Sequence, residues 1–290
     1  MNILLTGASG FIGRNIAAVL SQAGHRIVPV SRQTGIDFRH MTAPASWLPS
    51  LRGIDAVINS VGIIGETRQQ RFAPLHRDAP IALFTACAEA GIRRVIQISA
   101  LGADEMAFSA YHLSKRAADE ALRTLNPDGL VLRPSLIYGR DGGSAEFFLR
   151  LARWPVMPLI GDGQQALQPV HIADVVACIL RGLDCPAPGQ TIDIVGSETV
   201  TFGAWLERMR AAQGLAPGCT LPIPIHWVMS AFQYLRHVHP LCQPDNLRML
   251  LNGYHADPAP LADFLGRAPL DFSPELFFLD AQEALSWTTR

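Results

Sequence analysis

The first twenty residues place three glycines at intervals of three, directly behind a short apolar run. Residues 2–5 predict a buried strand, and residues 11–23 carry apolar side chains at helical spacing. Between them lies TGASGFIG, which contains Gly7, Gly10 and Gly13. In a strand–turn–helix unit, such glycines allow a tight turn, let the backbone approach a pyrophosphate, and let the helix pack closely on the strand. The stretch therefore predicts a dinucleotide-binding loop in preference to a plain tight turn.

Strand and helix patterns continue to alternate after this unit. Further strands are predicted at residues 26–30, 55–60, 94–99, 129–133 and 191–196, and further helices at 79–90, 111–125 and 171–183. Alternation of this kind is typical of an α/β protein with a doubly wound parallel sheet and helices on both faces. After Pro134 the rhythm breaks, with loop-like stretches at 139–143 and 159–165 and a helical, proline-punctuated tail.

This pattern predicts two parts. Residues 1–136 are expected to form a dinucleotide-binding domain, which about 167–198 completes. Residues 137–166 and 199–290 are expected to form a smaller substrate or partner lobe, with a cleft between this lobe and the sheet.

Composition narrows the function classes. Charged residues make up 17 % of the chain, below the roughly 25 % typical of globular domains, while 49 % are hydrophobic. This balance favours an apolar pocket or a partner interface. The net charge is −1 and no long basic run occurs, so nucleic acid is not expected as a partner. The five cysteines include no CxxC pair, so no disulfide framework or metal site is predicted, and a reducing, cytoplasmic setting is the default expectation.

One segment raises the question of a membrane. Residues 225–238 (IHWVMSAFQYLRHV) form an apolar helix candidate with aromatic and basic side chains. No stretch of the sequence approaches the ~18 apolar residues that a membrane span needs. We expect the segment to pack against its own domain, and peripheral contact with a membrane or a membrane complex is the alternative.

The end of the second predicted strand bears on cofactor choice. An acid that binds the 2′-hydroxyl of NAD is expected there, but the sequence has Ser31 and Arg32. A guanidinium suits a 2′-phosphate, so NADP is favoured over NAD. The alternative is an ordinary exposed arginine on the surface.

The stretch YHLSK places Tyr111 and Lys115 four residues apart on a predicted helix, where both side chains share a face. A lone tyrosine has a pKa of about 10, and a neighbouring ammonium favours the phenolate and lowers that pKa. Such a pair can move a proton to or from a substrate oxygen while a nicotinamide moves hydride. The pattern is specific because it follows the glycine loop in the predicted order.

Together these motifs resemble the short-chain dehydrogenase/reductase superfamily, over roughly residues 1–210. LRPSLIYG (132–139) and QPVHIADVVA (168–177) are similar to motifs of its extended and atypical branches. QISALGAD (97–104) is similar to atypical members related to the NADPH-binding accessory subunit of respiratory complex I. The resemblance implies a Rossmann-like sheet with a C-terminal lobe that binds substrate.

The resemblance also implies roles for individual residues. Cofactor contacts are implied at the pyrophosphate (Gly7, Gly10, Phe11, Ile12, Gly13), the adenosine phosphate (Arg32), adenine (Asp37, Phe38), the adenosine ribose after the fourth strand (Ser60, Val61), the nicotinamide ribose (Lys115) and the carboxamide (Pro134, Ser135). His76 lies where extended members often have an asparagine near the cofactor, and we expect a structural role for it. His171 and Asp174 are expected to fix a loop and a helix start.

The match fails at one position of the implied catalytic trio. A serine or threonine hydroxyl is expected one or two residues beyond the first serine that ends the fifth strand, but Ala100 and Leu101 stand there. Ser99 is the candidate replacement, and Ser109 is an alternative. Losing one such donor can cost roughly 10²–10³ in rate, so low or absent turnover remains an open outcome.

The sequence therefore leads to one main hypothesis and two alternatives. The main hypothesis is an NADP-dependent oxidoreductase acting on a carbonyl, alcohol or activated double bond of an apolar small molecule. Its substrate cleft is expected beside Trp227, Phe232 and Tyr234. The alternatives are a non-catalytic NADPH-binding sensor or assembly module, and a sugar-nucleotide epimerase or dehydratase.

Overall fold

The structure is a computed structural model that describes residues 1–184, 189–236 and 238–288. Cys185, His237 within the apolar segment 225–238, and the last two residues of the predicted lobe lie outside the described residues. The strands are β1 (Asn2–Thr6), β2 (Arg26–Val30), β3 (Ala56–Asn59), β4 (Arg94–Ile98), β5 (Leu130–Pro134), β6 (Ile137–Tyr138), β7 (Val156–Ile160), β8 (Ala166–Leu167), β9 (Val170–His171), β10 (Thr191–Ile194), β11 (Val200–Thr201) and β12 (Cys219–Ile223). The helices are α1 (Phe11–Gln22), α2 (Pro44–Trp47), α3 (Ala79–Glu89), α4 (Ala110–Leu125), α5 (Gly143–Ala152), α6 (Ile172–Asp184), α7 (Phe202–Ala212), α8 (Ile225–Leu235), α9 (Pro244–Asn252), α10 (Ala259–Leu265) and α11 (Ala281–Thr288).

Six strands form a parallel sheet in the order β2–β1–β3–β4–β5–β10. Their inner residues are aliphatic and buried, as expected where helices cover both faces of a parallel sheet. The chain leaves β1 toward β2 on one side and then crosses to β3 on the other. Ligands of such sheets bind at the carboxyl ends of the strands beside this reversal. The predicted doubly wound α/β fold is confirmed.

The six predicted strands of the sheet are present, but the strand numbers given with the implied site residues are one too high. Between β2 and β3 the chain forms only short helical turns, and Pro44 and Pro49 lie at the first and second positions of two successive turns. Ser60 and Val61 therefore follow the third strand rather than the fourth. The Tyr111 helix comes after the fourth strand rather than the fifth.

The later part of the chain contains short strands that the sequence pattern did not predict. β7 pairs with β12 in parallel, although each contains a proline. Part of the predicted loop at 159–165 therefore belongs to β7. A cluster of buried rings lies beneath this part, with Tyr138 against Trp205 at 5.3 Å and Trp205 against Phe277 at 5.0 Å between ring centroids.

The final helices return to the sheet. α10 packs against α6 and β10, and α11 packs against α1 and α6. The region 199–290, predicted to be one lobe, thus contains segments that contact the sheet domain as well as segments around α8.

Residues 225–238 are expected to pack against their own domain, but helix α8, which covers most of them, does so on one side at most. None of its residues is buried, and the side chains of Ile225, Trp227 and Tyr234 are 41 %, 66 % and 82 % exposed. The reason is position: α8 follows Pro224 at the end of the separate two-stranded sheet β7–β12, and the contacts of α8 are mainly with α9. Across the described ranges, no helix combines the length and apolar character needed to cross a bilayer.

Candidate active site

The glycine loop joins β1 to α1 and contacts two neighbouring strand ends. The Gly7 N–H donates to the Val30 carbonyl at the end of β2, and the Ser60 hydroxyl donates to the Thr6 carbonyl. Gly7 has φ +69°, and a Cβ added to Gly13 would lie 2.2 Å from the Gly7 oxygen. These two glycines are therefore required by the packing of the loop itself.

Gly10 is different. A Cβ there would meet only the Gly7 oxygen, at 3.3 Å, and Gly10 begins α1 without a side-chain cap or an acidic residue in the first turn. Gly10 is exposed and lines a cavity. Free N–H groups and the positive end of a helix dipole at such a place suit a phosphate, so the loop fits the pyrophosphate of a dinucleotide.

One cavity of about 820 Å³ runs from this loop along the carboxyl ends of the strands, a volume within the usual range for small-molecule sites. The predicted site residues that line it are Gly10, Phe11, Ile12, Gly13, Ser60, Ser99, Tyr111, Lys115, Pro134 and Ser135. Gly7, Arg32, Asp37, Phe38 and Val61 lie outside it. The fold thus brings the glycine loop and the Tyr111–Lys115 pair to one space.

Lys115 is almost fully buried and ties two loops together. Its Nζ donates to the Val61 carbonyl at 3.1 Å and to the Ile98 carbonyl at 2.9 Å, at the ends of β3 and β4. Burial lowers the pKa of Lys115, while the Asp119 carboxylate opposes that shift. The ammonium therefore holds the floor of the crevice in place from α4.

Tyr111 stands one turn before Lys115 on α4 and is partly exposed to the cavity. Burial in apolar surroundings raises the pKa of Tyr111 to about 12, with a smaller contribution from Asp119. The expected lowering of the Tyr111 pKa by Lys115 is therefore wrong for the protein without ligands, because desolvation of the phenolate dominates and Asp119 acts in the same direction. At neutral pH the phenol carries its proton and can act as an acid.

Ser99 is already engaged. Its hydroxyl donates to the Asp119 carboxylate at 2.6 Å, and Arg133 Nε lies 3.7 Å from the same oxygen. Burial raises the pKa of Asp119, and the Ser99 hydrogen bond opposes that effect. Ser109, the alternative donor, is 1 % exposed, caps α4 by accepting the His112 N–H, and lies outside the cavity wall.

The predicted adenosine contacts lie near the end of β2. Arg32 is exposed, two residues beyond the point where β2 touches the glycine loop. The Asp37 carboxylate is held by Arg39 at 2.5–3.0 Å, and this hydrogen bonding lowers the pKa of Asp37 to about 2. The Phe38 ring is buried against Trp47, so only its backbone remains for a ligand.

Three polar groups act in the framework. His76 Nε2 accepts the Ile63 N–H, so Nδ1 carries the proton and donates to Ser114, whose hydroxyl donates to the Tyr111 carbonyl. These hydrogen bonds fit the structural role expected for His76, which stays a prediction. His171 accepts the Ala173 N–H at the start of α6, and Asp174 accepts the Leu270 N–H and pairs with Arg267, as expected for a helix start and a fixed loop.

The sequence reasoning did not include a row of buried polar side chains beneath the crevice. Thr6 Oγ1 donates to Asn59 Oδ1 at 2.5 Å, and Asn59 Nδ2 donates to Gln97 Oε1 at 2.7 Å. These residues are in register on β1, β3 and β4. The signal was present, since each of these strands has a polar residue at or near its carboxyl end behind an apolar run.

The far side of the cavity is apolar. Phe148, Phe202, Trp227, Phe232 and Leu247 are among the residues that line it. The predicted cleft contacts of Trp227 and Phe232 are thus present, whereas Tyr234 faces solvent because it lies on the outer side of α8. Among the described residues of the wall, Lys115 is the sole Lys, Arg, Asp or Glu.

Two curated relatives carry names that concern lipid and respiratory chemistry. Ceramide reductase of Caulobacter vibrioides is 28 % identical over 223 residues, which are 72 % of this chain and 69 % of that protein. NADH dehydrogenase [ubiquinone] 1 alpha subcomplex subunit 9 of Arabidopsis thaliana is 29 % identical over 246 residues, 78 % of this chain and 61 % of the relative. The chain thus spans less than two thirds of the second relative.

Among solved structures, UDP-glucose 4-epimerase of Thermotoga maritima covers all of this chain and is itself fully covered, with a TM-score of 0.74 and 16 % identity. Residues 3–195 match the description "NAD dependent epimerase/dehydratase family", and this region holds the glycine loop, the Tyr111–Lys115 pair and all six strands of the main sheet up to β10. The resemblance inferred from the motifs is confirmed, and the chain belongs to the NAD dependent epimerase/dehydratase family.

Proposed function

We propose that this protein is an NADPH-dependent reductase of a carbonyl group on an apolar substrate. The observation that carries the proposal is a single cavity that joins the glycine loop, the Tyr111 phenol and an apolar wall. A bound reduced nicotinamide would supply hydride to the carbonyl carbon. Tyr111, which holds its proton at neutral pH, donates that proton to the carbonyl oxygen.

Several residues would hold the cofactor. The backbone N–H groups at the start of α1 bind the pyrophosphate, and Lys115 and Ser135 lie along the path toward Tyr111. Arg32 binds the 2′-phosphate of NADP, because it is exposed just beyond the contact between β2 and the glycine loop. Among the described residues, no ion pair or hydrogen bond involves the Arg32 guanidinium, so this guanidinium is available.

The wall argues for an apolar substrate over a sugar nucleotide. A sugar-nucleotide substrate would bring a second diphosphate into the cavity, beside that of the cofactor. A diphosphate needs cationic partners, and the arginine guanidinium is the usual partner for bidentate phosphate contacts. No arginine is found on the described wall of the cavity, and Lys115 already serves two carbonyls. The name of the ceramide reductase relative supports a lipid-like substrate.

A second candidate is a non-catalytic NADPH-binding module. It is favoured by the aliphatic side chains of Ala100 and Leu101, where a hydroxyl is expected, and by the name of the NADH dehydrogenase subunit relatives. Both candidates require tight NADPH binding, and only the first requires turnover.

The test uses purified full-length protein. NADPH and NADH are titrated by fluorescence, and NADPH oxidation is then followed with 2-nonanone, 2-nonenal, a quinone and UDP-glucose. The reductase proposal expects tighter binding of NADPH than NADH and turnover of an aliphatic carbonyl but not of UDP-glucose. Tight NADPH binding without any turnover contradicts it and supports the binding module.

We propose that the protein contacts an anionic lipid surface through the outer face of α8. Tyr234 and Leu235 of α8 are 82 % and 43 % exposed, and Val238, just beyond the helix, is 77 % exposed. Trp227 and Phe232 of the same helix line the cavity. Residues 208–244 contain no Asp or Glu and include three arginines, of which Arg208 is paired with Glu198 and Arg210 donates to backbone carbonyls. An apolar helix face in a cationic segment suits a bilayer with anionic headgroups.

Vesicle flotation tests this contact. The protein should float with vesicles that contain phosphatidylglycerol and less with pure phosphatidylcholine. The double substitution Leu235→Ser and Val238→Ser should abolish flotation, whereas Met106→Ser, at another exposed apolar residue, should not. Flotation that the double substitution leaves unchanged would contradict the proposal.

A further inference from the structure

The reaction proposed above needs a second hydroxyl beside Tyr111, and the loop after β4 does not provide it. The hydroxyl of Ser99 is donated to Asp119, and positions 100–102 are Ala, Leu and Gly. Two of the other three serines of the described cavity wall also donate their hydroxyls to backbone carbonyls. Ser60 donates to the Thr6 carbonyl and Ser135 donates to the Gln168 carbonyl. Ser144 is in the first turn of α5, next to the glycine pair whose Gly142 lies beside the Phe11 ring of the glycine loop.

Tyr254, from the tail after α9, stands over this loop. Gly102 has φ +88°, and a Cβ added there would lie 2.3 Å from Cε1 of the Tyr254 ring. The tyrosine ring therefore fills the space that a side chain at position 102 would take. Tyr254 lines the same cavity as Tyr111 and Lys115.

His112 connects the two tyrosines. Its ring lies 5.2 Å from the Tyr111 ring and 4.9 Å from the Tyr254 ring between centroids. The Tyr254 hydroxyl is 3.3 Å from His112 Nδ1. Tyr111 and Tyr254 are thus each in ring contact with His112, and both line the same cavity.

The hydrogen bonds leave the Tyr254 proton available. Burial lowers the pKa of His112 to about 4, so the ring is neutral at pH 7, and the Leu101 carbonyl accepts from it. Two hydroxyls lie within hydrogen-bond distance of Nδ1. We therefore assign the tautomer of His112 that carries the proton on Nε2 and leaves Nδ1 as an acceptor. The Ser109 hydroxyl, at 3.1 Å, is the nearer donor to Nδ1, which frees the Tyr254 hydroxyl to turn toward a ligand.

We propose that Tyr254 is a catalytic residue that donates a hydrogen bond to the substrate carbonyl oxygen, in the place of the serine or threonine hydroxyl that the β4 loop lacks. The inference rests on the proposed carbonyl reduction. The carbonyl oxygen gains one proton, from Tyr111, and the carbon gains the hydride already described. Tyr254 keeps its own proton and stabilises the negative charge that develops on the oxygen.

Tyr254→Phe is the direct test, because it removes the hydroxyl and keeps the ring over Gly102. The matched control is Tyr234→Phe, since Tyr234 is 82 % exposed and lies outside the cavity. With NADPH and 2-nonanone, Tyr254→Phe should lower kcat/KM by roughly 10²–10³, the usual loss for one donor to an oxyanion. NADPH affinity should not change, and the control should match the wild type. A Tyr254→Phe enzyme within twofold of the wild type would overturn the proposal.

A binding measurement separates this inference from the proposed function. In protein saturated with NADP⁺, the affinities for 2-nonanone and for nonane are compared through tryptophan fluorescence. Tyr254→Phe should weaken ketone binding about fivefold, as for one hydrogen bond, and leave nonane binding unchanged. Equal ketone affinity in both proteins overturns the Tyr254 contact. Absence of turnover in the wild type, with the ketone effect present, instead counts against the reductase proposal alone.

Discussion

The hydroxyl of Ser99 donates a 2.6 Å hydrogen bond to the carboxylate of Asp119, which is completely buried in α4. The carboxylate depends on this donor, because its other oxygen has no hydrogen-bond partner among the described residues. Ser99 is thus held by the helix that carries Tyr111 and Lys115. The bond stabilises the junction of β4 and α4 and directs the Ser99 proton away from a substrate.

Ser99→Ala tests this relationship. The substitution leaves a buried carboxylate without its donor, so the free energy of unfolding should fall by about 1–3 kcal/mol. The kcat/KM for carbonyl reduction should fall less than tenfold. Urea unfolding and steady-state kinetics measure the two effects. A loss of activity near 100-fold at unchanged stability would instead make Ser99 the substrate donor.

The glycine loop offers a matched pair of substitutions. Gly13→Ala puts a Cβ 2.2 Å from the Gly7 oxygen, so it should destabilise the fold by about 1–3 kcal/mol, as overpacking does. Gly10→Ala meets one atom at 3.3 Å and should leave the fold intact. It should nevertheless weaken NADPH binding more than tenfold, because the added methyl group would crowd a phosphate bound against the start of α1. Unchanged NADPH affinity in Gly10→Ala would argue against a pyrophosphate at this loop.

Arg32→Ala addresses the choice between NADP and NAD. Hydrogen bonds to a charged group contribute about 1.5–3 kcal/mol, so NADPH affinity should drop roughly tenfold or more. NADH affinity should stay the same, because NADH lacks the 2′-phosphate. Arg52→Ala, at another exposed arginine, serves as the control. Equal losses for both nucleotides would remove Arg32 from its proposed role.

His171 predicts an acid-dependent loss of stability. Burial lowers the pKa of His171 to about 4, against about 6.5 in the unfolded chain. Between these values the unfolded state binds a proton that the folded state does not. The contribution is therefore present above pH 6.5 and is lost as the pH falls toward 4, by on the order of 2 kcal/mol at pH 5.

Urea unfolding at pH 7 and pH 5 measures this effect. Buried carboxyl groups with raised pKa values, such as Asp174, contribute with the opposite sign. The comparison is therefore made between the wild type and His171→Gln. The variant should be less stable at pH 7 and should lose less stability on acidification. Identical pH slopes in the two proteins would contradict the assignment.

Local patterns were sufficient to predict most of the sheet. The apolar strands and the helices that end at glycines gave β1–α1–β2 and α3–β4, because these elements bury residues at a regular period. The short strands β6–β9, β11 and β12 carry no such period, and β7 and β12 contain prolines. Their pairing comes from tertiary contacts that a single sequence does not display.

The parts of the site that are contiguous in the sequence were predictable, and the parts that depend on tertiary contacts were not. The glycine loop and the Tyr111–Lys115 pair are contiguous motifs, and the fold brings them to one cavity. Tyr254 is 142 residues from His112 in the chain, and its contact depends on Gly102 lacking a side chain. The raised pKa of Tyr111 likewise follows from burial, which the spacing of two residues on a helix does not reveal.

The most direct test of the central claim is the rate of NADPH oxidation with 2-nonanone in the wild type and in Tyr111→Phe. The account predicts measurable turnover in the wild type, a loss of at least roughly 100-fold in the variant, and unchanged NADPH affinity, because the substitution removes only the proton donor. Equal rates in the two proteins, or no carbonyl reduction by a wild type that binds NADPH, would contradict it.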